Sequence, residues 1–127
     1  MPLSDRIVLI GDPDHMTSAL YERTLRESFD VIVATDDETA LRLLHTAAIS
    51  VFVLELTLFG ECNWEQLTAV GQLCVTRGIH LVICSTLDER RRGIEIGAAA
   101  YLIKPTLPSV LKHTVDSIVG ISPPAEN

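Results

Sequence analysis

Four apolar residues, Val51-Phe52-Val53-Leu54, run without a polar break into Glu55, and Leu56-Thr57-Leu58-Phe59-Gly60 follows. Such a run, half of it valine, predicts a strand buried on both faces, and strands of that kind belong to parallel sheets covered by helices on each side. Four further stretches repeat the pattern: Arg6-Ile7-Val8-Leu9-Ile10, Val31-Ile32-Val33-Ala34, Leu81-Val82-Ile83-Cys84 and Ala99-Ala100-Tyr101-Leu102-Ile103. Helical spacing lies between them. Asp14 caps a helix beginning near His15, with Met16, Ala19, Leu20 and Leu25 as its apolar stripe. Ala40, Leu41, Leu44, Ala47 and Ala48 share a face of the second helix. Leu67, Val70 and Cys74 do so in the third, which Arg77-Gly78 ends. Asp88 to Ile96 is a short polar fourth closed by Gly97, and Pro108 opens a fifth with Leu111, Val115 and Ile118 inward.

Strands alternating with helices give an α/β class: a flavodoxin-like, doubly wound, five-stranded parallel sheet, order 2-1-3-4-5, with helices on both faces. A chain of 127 residues with 47% apolar content suits one domain, set at residues 4–120, with 121–127 as a tail or the start of a linker. No apolar run approaches the roughly 18 residues of a membrane span, and the first residues lack the pattern of a signal peptide. Three cysteines without tight spacing suggest neither a disulfide framework nor a zinc site, so a reducing cytoplasm is the expected setting. A net charge of -7 argues against nucleic-acid binding by this segment. Its one basic cluster, Arg90-Arg91-Arg92, reads as a solvated helix face.

Ligands of such sheets sit beyond the carboxyl ends of the strands, where the strand order reverses. Four of these ends carry polar groups: Asp12, Glu55, Ser85 and Lys104. Two carboxylates offer hard oxygens to a divalent cation, and a hydroxyl with an ammonium can hold the oxygens of a phosphoryl group. Other polar or reactive residues have blander readings. His15 is a solvated first-turn residue, and Cys74 and Cys84 belong to the core. Cys62 lies in the loop after Glu55 without a basic neighbour, and Trp64 packs, partly exposed, at the start of the third helix.

From Ile7 to about Val119 the chain resembles a receiver domain of the bacterial two-component response regulators. The resemblance rests on Leu9-Ile10-Gly11-Asp12-Pro13-Asp14, on Val53-Leu54-Glu55-Leu56-Thr57-Leu58-Phe59-Gly60 and on Val82-Ile83-Cys84-Ser85-Thr86. Its strongest piece is Gly97-Ala98-Ala99-Ala100-Tyr101-Leu102-Ile103-Lys104-Pro105. It implies a phosphoacceptor position at Glu55, phosphoryl-holding groups at Ser85 and Lys104, and a switch formed by Ser85 and Tyr101. It also implies a magnesium site on Asp12, Glu55 and Thr57, with Asp14 a further candidate ligand. Partners implied are a sensor kinase, a linked output domain and a second copy, through the face of the fourth helix, fifth strand and fifth helix. Arg90, Arg91 and Arg92 with Asp116 would supply charge pairs across that face.

The departures decide the expected function. The family's acceptor is aspartate, and glutamate carries one methylene more; misplacement near 1 Å can cost in-line phosphoryl transfer about 100-fold. The acidic pair after the first strand is reduced to Gly11-Asp12, which weakens the magnesium site. Phe59, Asn63 and Thr86 replace the proline, glycine and small residue usual at their positions, and the fourth helix is about one turn short. The expectation is a pseudo-receiver: no enzyme, no cofactor beyond a weakened magnesium site, acting through protein–protein contacts. Two alternatives stand beside it, a working receiver with an unusual acceptor and a flavodoxin-like cofactor binder. The second is disfavoured because Gly11-Asp12-Pro13-Asp14 would repel a phosphate.

Overall fold

In the computed structural model, which describes residues 6–61 and 63–120, the apolar runs form five parallel strands. These are β1 (Ile7–Gly11), β2 (Asp30–Ala34), β3 (Val51–Leu54), β4 (His80–Ser85) and β5 (Ala100–Ile103), in the order β2-β1-β3-β4-β5. The helices are α1 (His15–Leu25), α2 (Asp37–Thr46), α3 (Trp64–Arg77), α4 (Arg90–Glu95) and α5 (Pro108–Ile118), and a 3-10 turn at Leu56–Phe59 follows β3. The expected class and strand order both hold.

Strand periodicity divides the core into two layers. Leu9, Phe52, Leu54, Leu81 and Ile83 face one way and pack with Leu44 of α2 and Leu67, Val70 and Cys74 of α3. Val8, Ile10, Val51, Val53, Val82 and Cys84 face the other way, against Tyr21 and Leu25 of α1 and Leu111 and Val115 of α5. Both faces are dry, which is why β3 reads as an unbroken apolar run. Register pairs Gly11 with Ala34 on one side and Leu54 on the other, so β1 and β3 end level and the residues after them emerge side by side.

Three expectations about helices need correction. In α1 the buried positions are Ser18, Tyr21 and Leu25, while Met16 and Leu20 are 80% and 58% exposed. Ser18 can occupy a buried position because its hydroxyl is satisfied within the helix, Oγ donating to the His15 carbonyl at 3.1 Å. Helix α2 stops at Thr46, leaving Ala47 as its cap in extended conformation and Ala48 exposed, and Ile49 fills the core instead. Helix α4 is shorter still than residues 88–96, with six residues from Arg90 to Glu95.

Two glycines allow the close packing around α4. A Cβ at Gly71 of α3 would fall on the carbonyl oxygen of Ile96, and one at Gly93 would lie 2.5 Å from Tyr101 Cδ2. The expected tail at 121–127, the first residues of the expected domain and Cys62 lie outside the described residues.

Candidate functional site

Glu55 leaves β3 as the cap of the following 3-10 turn, with its own amide donating to the Gly11 carbonyl at 2.9 Å. That bond fixes the glutamate against the end of β1. Its side chain is 3% exposed, and both carboxylate oxygens are fully engaged. Oε2 accepts from Ser85 Oγ at 2.7 Å and from the Thr57 amide at 3.1 Å. Oε1 accepts from the Thr86 amide at 3.0 Å and from Lys104 Nζ at 2.9 Å. The donors come from the ends of β4 and β5 and from the turn after β3, so one side chain ties three segments together.

Lys104 reaches a second carboxylate as well, donating to Asp12 Oδ2 at 2.6 Å. Asp12 Oδ1 accepts from the Asp14 amide at 2.9 Å. The Lys104 side chain is 11% exposed and that of Asp12 4% exposed, so the ammonium lies out of solvent between two carboxylates. The Lys104 amide donates to the Ser85 carbonyl at 2.8 Å, which aligns the ends of β4 and β5. Sequence reasoning named Asp12, Glu55, Ser85 and Lys104, and all four meet here.

Burial opposes charge on Glu55, yet the hydrogen bonds from Ser85, Lys104 and the Thr57 amide outweigh it and hold the carboxyl below its ordinary value. Burial likewise opposes charge on Lys104, and the carboxylates of Asp12 and Glu55 overcome it, raising the ammonium pKa. Both groups are therefore charged at neutral pH. A buried pair of this kind is held chiefly by its hydrogen bonds, since desolvation consumes much of the Coulombic gain.

The residues present do not fit a magnesium ion. Asp12 and Glu55 offer oxygens already taken by an ammonium, and magnesium demands near-octahedral oxygen ligation. Asp14 is turned away: it caps α1, accepting from the Met16 amide at 3.3 Å and from Thr17 Oγ1. The Thr57 carbonyl accepts from the Gly60 amide at 3.1 Å. Among the described residues no group of three His, Cys, Asp or Glu side chains could hold a metal.

Tyr101 is half-buried, with its hydroxyl turned into the loop between β4 and α4, where it donates to the Leu87 carbonyl and accepts from the Glu89 amide at 3.0 Å. Burial raises its pKa. The same loop is tied to the acidic site, because the Leu87 amide donates to Ser85 Oγ at 3.1 Å. A continuous path thus runs from Glu55 through Ser85 and Leu87 to Tyr101. The sequence did not disclose the amides of Thr57, Thr86 and Leu87, since backbone donors carry no residue signature.

The remaining candidates sort simply. His15 is exposed, and Cys74 and Cys84 are buried in the core, with burial pushing the Cys74 thiol up to about 11. Arg90, Arg91 and Arg92 are all exposed, as expected of a solvated cluster, with Arg92 lying 5.2 Å from the centroid of the half-buried Trp64 ring. Arg90 pairs with Asp88 at 3.0 Å and Arg91 with Glu95 at 3.9 Å, while Asp116 pairs with Lys112 at 3.0 Å. Beside Lys104 a cavity of about 400 Å³ opens between α1 and the β5–α5 loop, lined by Thr17, Leu20, Tyr21, Thr86, Pro105 and Thr106 among others. Among the described residues its only cationic lining group is Lys104, which is committed to two carboxylates and so offers no cradle for a cofactor phosphate.

No protein-family model matches the chain. It is 36% identical over 101 residues to the transcriptional regulatory protein CpxR of Escherichia coli (strain K12), covering 80% of this chain and 43% of that protein. A probable transcriptional regulator, ycf27 of Porphyridium aerugineum, is 28% identical over 120 residues, covering 91% and 48%. The chain thus spans under half the length of these regulators. Among solved structures, a two-component response regulator from Clostridium difficile matches with a TM-score of 0.80 at 20% identity, covering 91% of this chain and 96% of that one. The BeF3-activated DrrB receiver domain matches at 0.78 and 21% identity, covering 91% and 97%. Among the described residues no helix is long and apolar enough to cross a membrane.

Proposed function

We propose that this chain, a receiver domain of the two-component response-regulator kind, is a pseudo-receiver in which Glu55 permanently fills the place of the phosphoryl group. One observation carries the reading. Both Glu55 oxygens are saturated by Ser85 Oγ, Lys104 Nζ and the amides of Thr57 and Thr86. Ser85 and Lys104 are the groups that the resemblance assigns to the phosphoryl oxygens. The extra methylene of glutamate lets the carboxylate reach donors that an aspartate would meet only after gaining a phosphoryl group. Glu55 brings one negative charge where a phosphoryl group brings nearly two, so the substitution copies geometry better than charge.

The state of the rest of the domain agrees with an occupied site. Ser85 is drawn onto Glu55, the loop follows through Leu87, and Tyr101 is turned inward. The same contacts disfavour Glu55 as a phosphoacceptor, because a nucleophilic oxygen needs a free lone pair aligned with the incoming phosphorus.

Function then falls to the surface, in a signalling module that binds a protein partner or a linked output domain without a phosphorylation step. The face of α4, β5 and α5 suits that role, carrying exposed Ile94, Leu107 and Val110. Incubation with acetyl phosphate and magnesium, followed by intact-mass measurement, tests the reading. The expected result is an unmodified protein; a stoichiometric acyl phosphate on Glu55 would overturn it and return the chain to the working receivers.

A further inference from the structure

We infer that Lys104 supplies the cation of this site, so that the domain has exchanged a divalent ion for its own ammonium. Two independent observations carry this. The first is position: Lys104 Nζ lies 2.6 Å from Asp12 Oδ2 and 2.9 Å from Glu55 Oε1, bridging the carboxylates that a divalent ion would have to bridge. The second is space at Gly11, where an acidic residue would complete the ligand set. A Cβ there would lie 2.7 Å from Phe52 Cε1 and 2.8 Å from Leu58 Cδ2. The core has closed over the position, and no carboxylate can be restored there without displacing two buried side chains.

The chemistry differs in ways that matter. Magnesium dehydrates reluctantly and exchanges with solvent, so a site built on it responds to ion concentration. An ammonium on its own stem is always present and always in register with β5. Asp12 is then a positioning residue, holding Lys104 at a height where it also meets Glu55. With one carboxylate on each side of one cation, the cluster retains a single net negative charge.

This inference stands apart from the reading of Glu55 as a phosphoryl substitute, because a site can lack a divalent ion whatever fills its anionic position. The test therefore reads cation binding alone. Manganese added to the full chain should cause no selective NMR line broadening at Asp12, Asp14 or Thr57 up to about 10 mM, a range in which weak oxygen-ligand sites fill. Magnesium should leave the thermal midpoint unchanged.

Lys104→Gln removes the ammonium and leaves the two carboxylates facing each other. That variant should acquire selective broadening at the same amides and a midpoint that rises with magnesium. Gly11→Asp should lower the midpoint without creating a cation response. Selective broadening of the wild-type protein at or below about 10 mM manganese would overturn the inference. So would a folded Lys104→Gln protein with no cation response. If Lys104→Gln does not fold even with magnesium, the wild-type titration decides alone.

Discussion

Glu55→Gln isolates charge from shape. The amide can sit in two orientations. With its nitrogen at the Oε1 position it would face Lys104 Nζ and the Thr86 amide, neither of which can accept. With its nitrogen at Oε2 it faces Ser85 Oγ, which can turn to accept, and the Thr57 amide, which cannot. The second orientation is favoured: it leaves the Thr57 amide unpaired, takes the acceptor from the Ser85 hydroxyl, reduces the Ser85 and Thr86 bonds to ordinary ones, and leaves Lys104 bonded to a neutral oxygen. An unpaired buried donor costs about 1–3 kcal/mol, and charge-assisted bonds are roughly twice as strong as neutral ones. Lys104 keeps Asp12, so its full desolvation penalty is not exposed. Together these give a loss of about 2–4 kcal/mol. Urea unfolding followed by circular dichroism measures it, with the slope against denaturant checked for constancy. A loss under about 0.5 kcal/mol, within the range of ordinary surface substitutions, would refute the argument that this carboxylate ties the strand ends together.

The pH dependence has a definite sign. Glu55 has its folded pKa below its ordinary 4.5, so its contribution is complete above that value and disappears as pH falls through the lowered one. Lys104 has its folded pKa above 10.5, so its contribution is complete below 10.5 and lost at higher pH. Denaturation midpoints should be insensitive to the site between these limits, and the acid-side slope should shrink in Glu55→Gln. Gly71→Ala would stabilise an open helix by about 1 kcal/mol, but here the added methyl meets the Ile96 carbonyl, so thermal melts should show destabilisation of about 2 kcal/mol or more. Gly93→Ala places a Cβ 2.5 Å from Tyr101 Cδ2 and 2.9 Å from Ile83 Cδ1, costing about 1–3 kcal/mol. Because the tyrosine ring can turn outward to relieve the contact, its solvent exposure by NMR should rise in that variant.

The sheet was legible because its strands are buried on both faces. Val51 to Leu54 carries no polar residue, and few other local structures make that demand. The site was legible for a related reason: a charged or polar residue directly after each of four such strands has few places to go. Helix α1 was misread because its buried face includes Ser18 and Tyr21, while apolar Met16 and Leu20 point outward. Apolar spacing reports burial only where the exposed face is polar, and the exposed face of α1 includes Met16, Ala19 and Leu20. The full hydrogen bonding of Glu55 was legible only in part: Ser85 and Lys104 follow from their strand-end positions, whereas the other half of its four donors are backbone amides whose direction depends on the turn and loop around them.

The inward Tyr101 has a consequence for timing. In a domain whose active arrangement depends on an acyl phosphate, hydrolysis of that bond sets how long a signal lasts. On the reading proposed here the arrangement of Glu55, Ser85 and Tyr101 is written in carbon–carbon bonds, which water does not cleave. The clock is gone. Output from such a domain follows the number of copies in the cell, and control passes to the rates of its synthesis and removal.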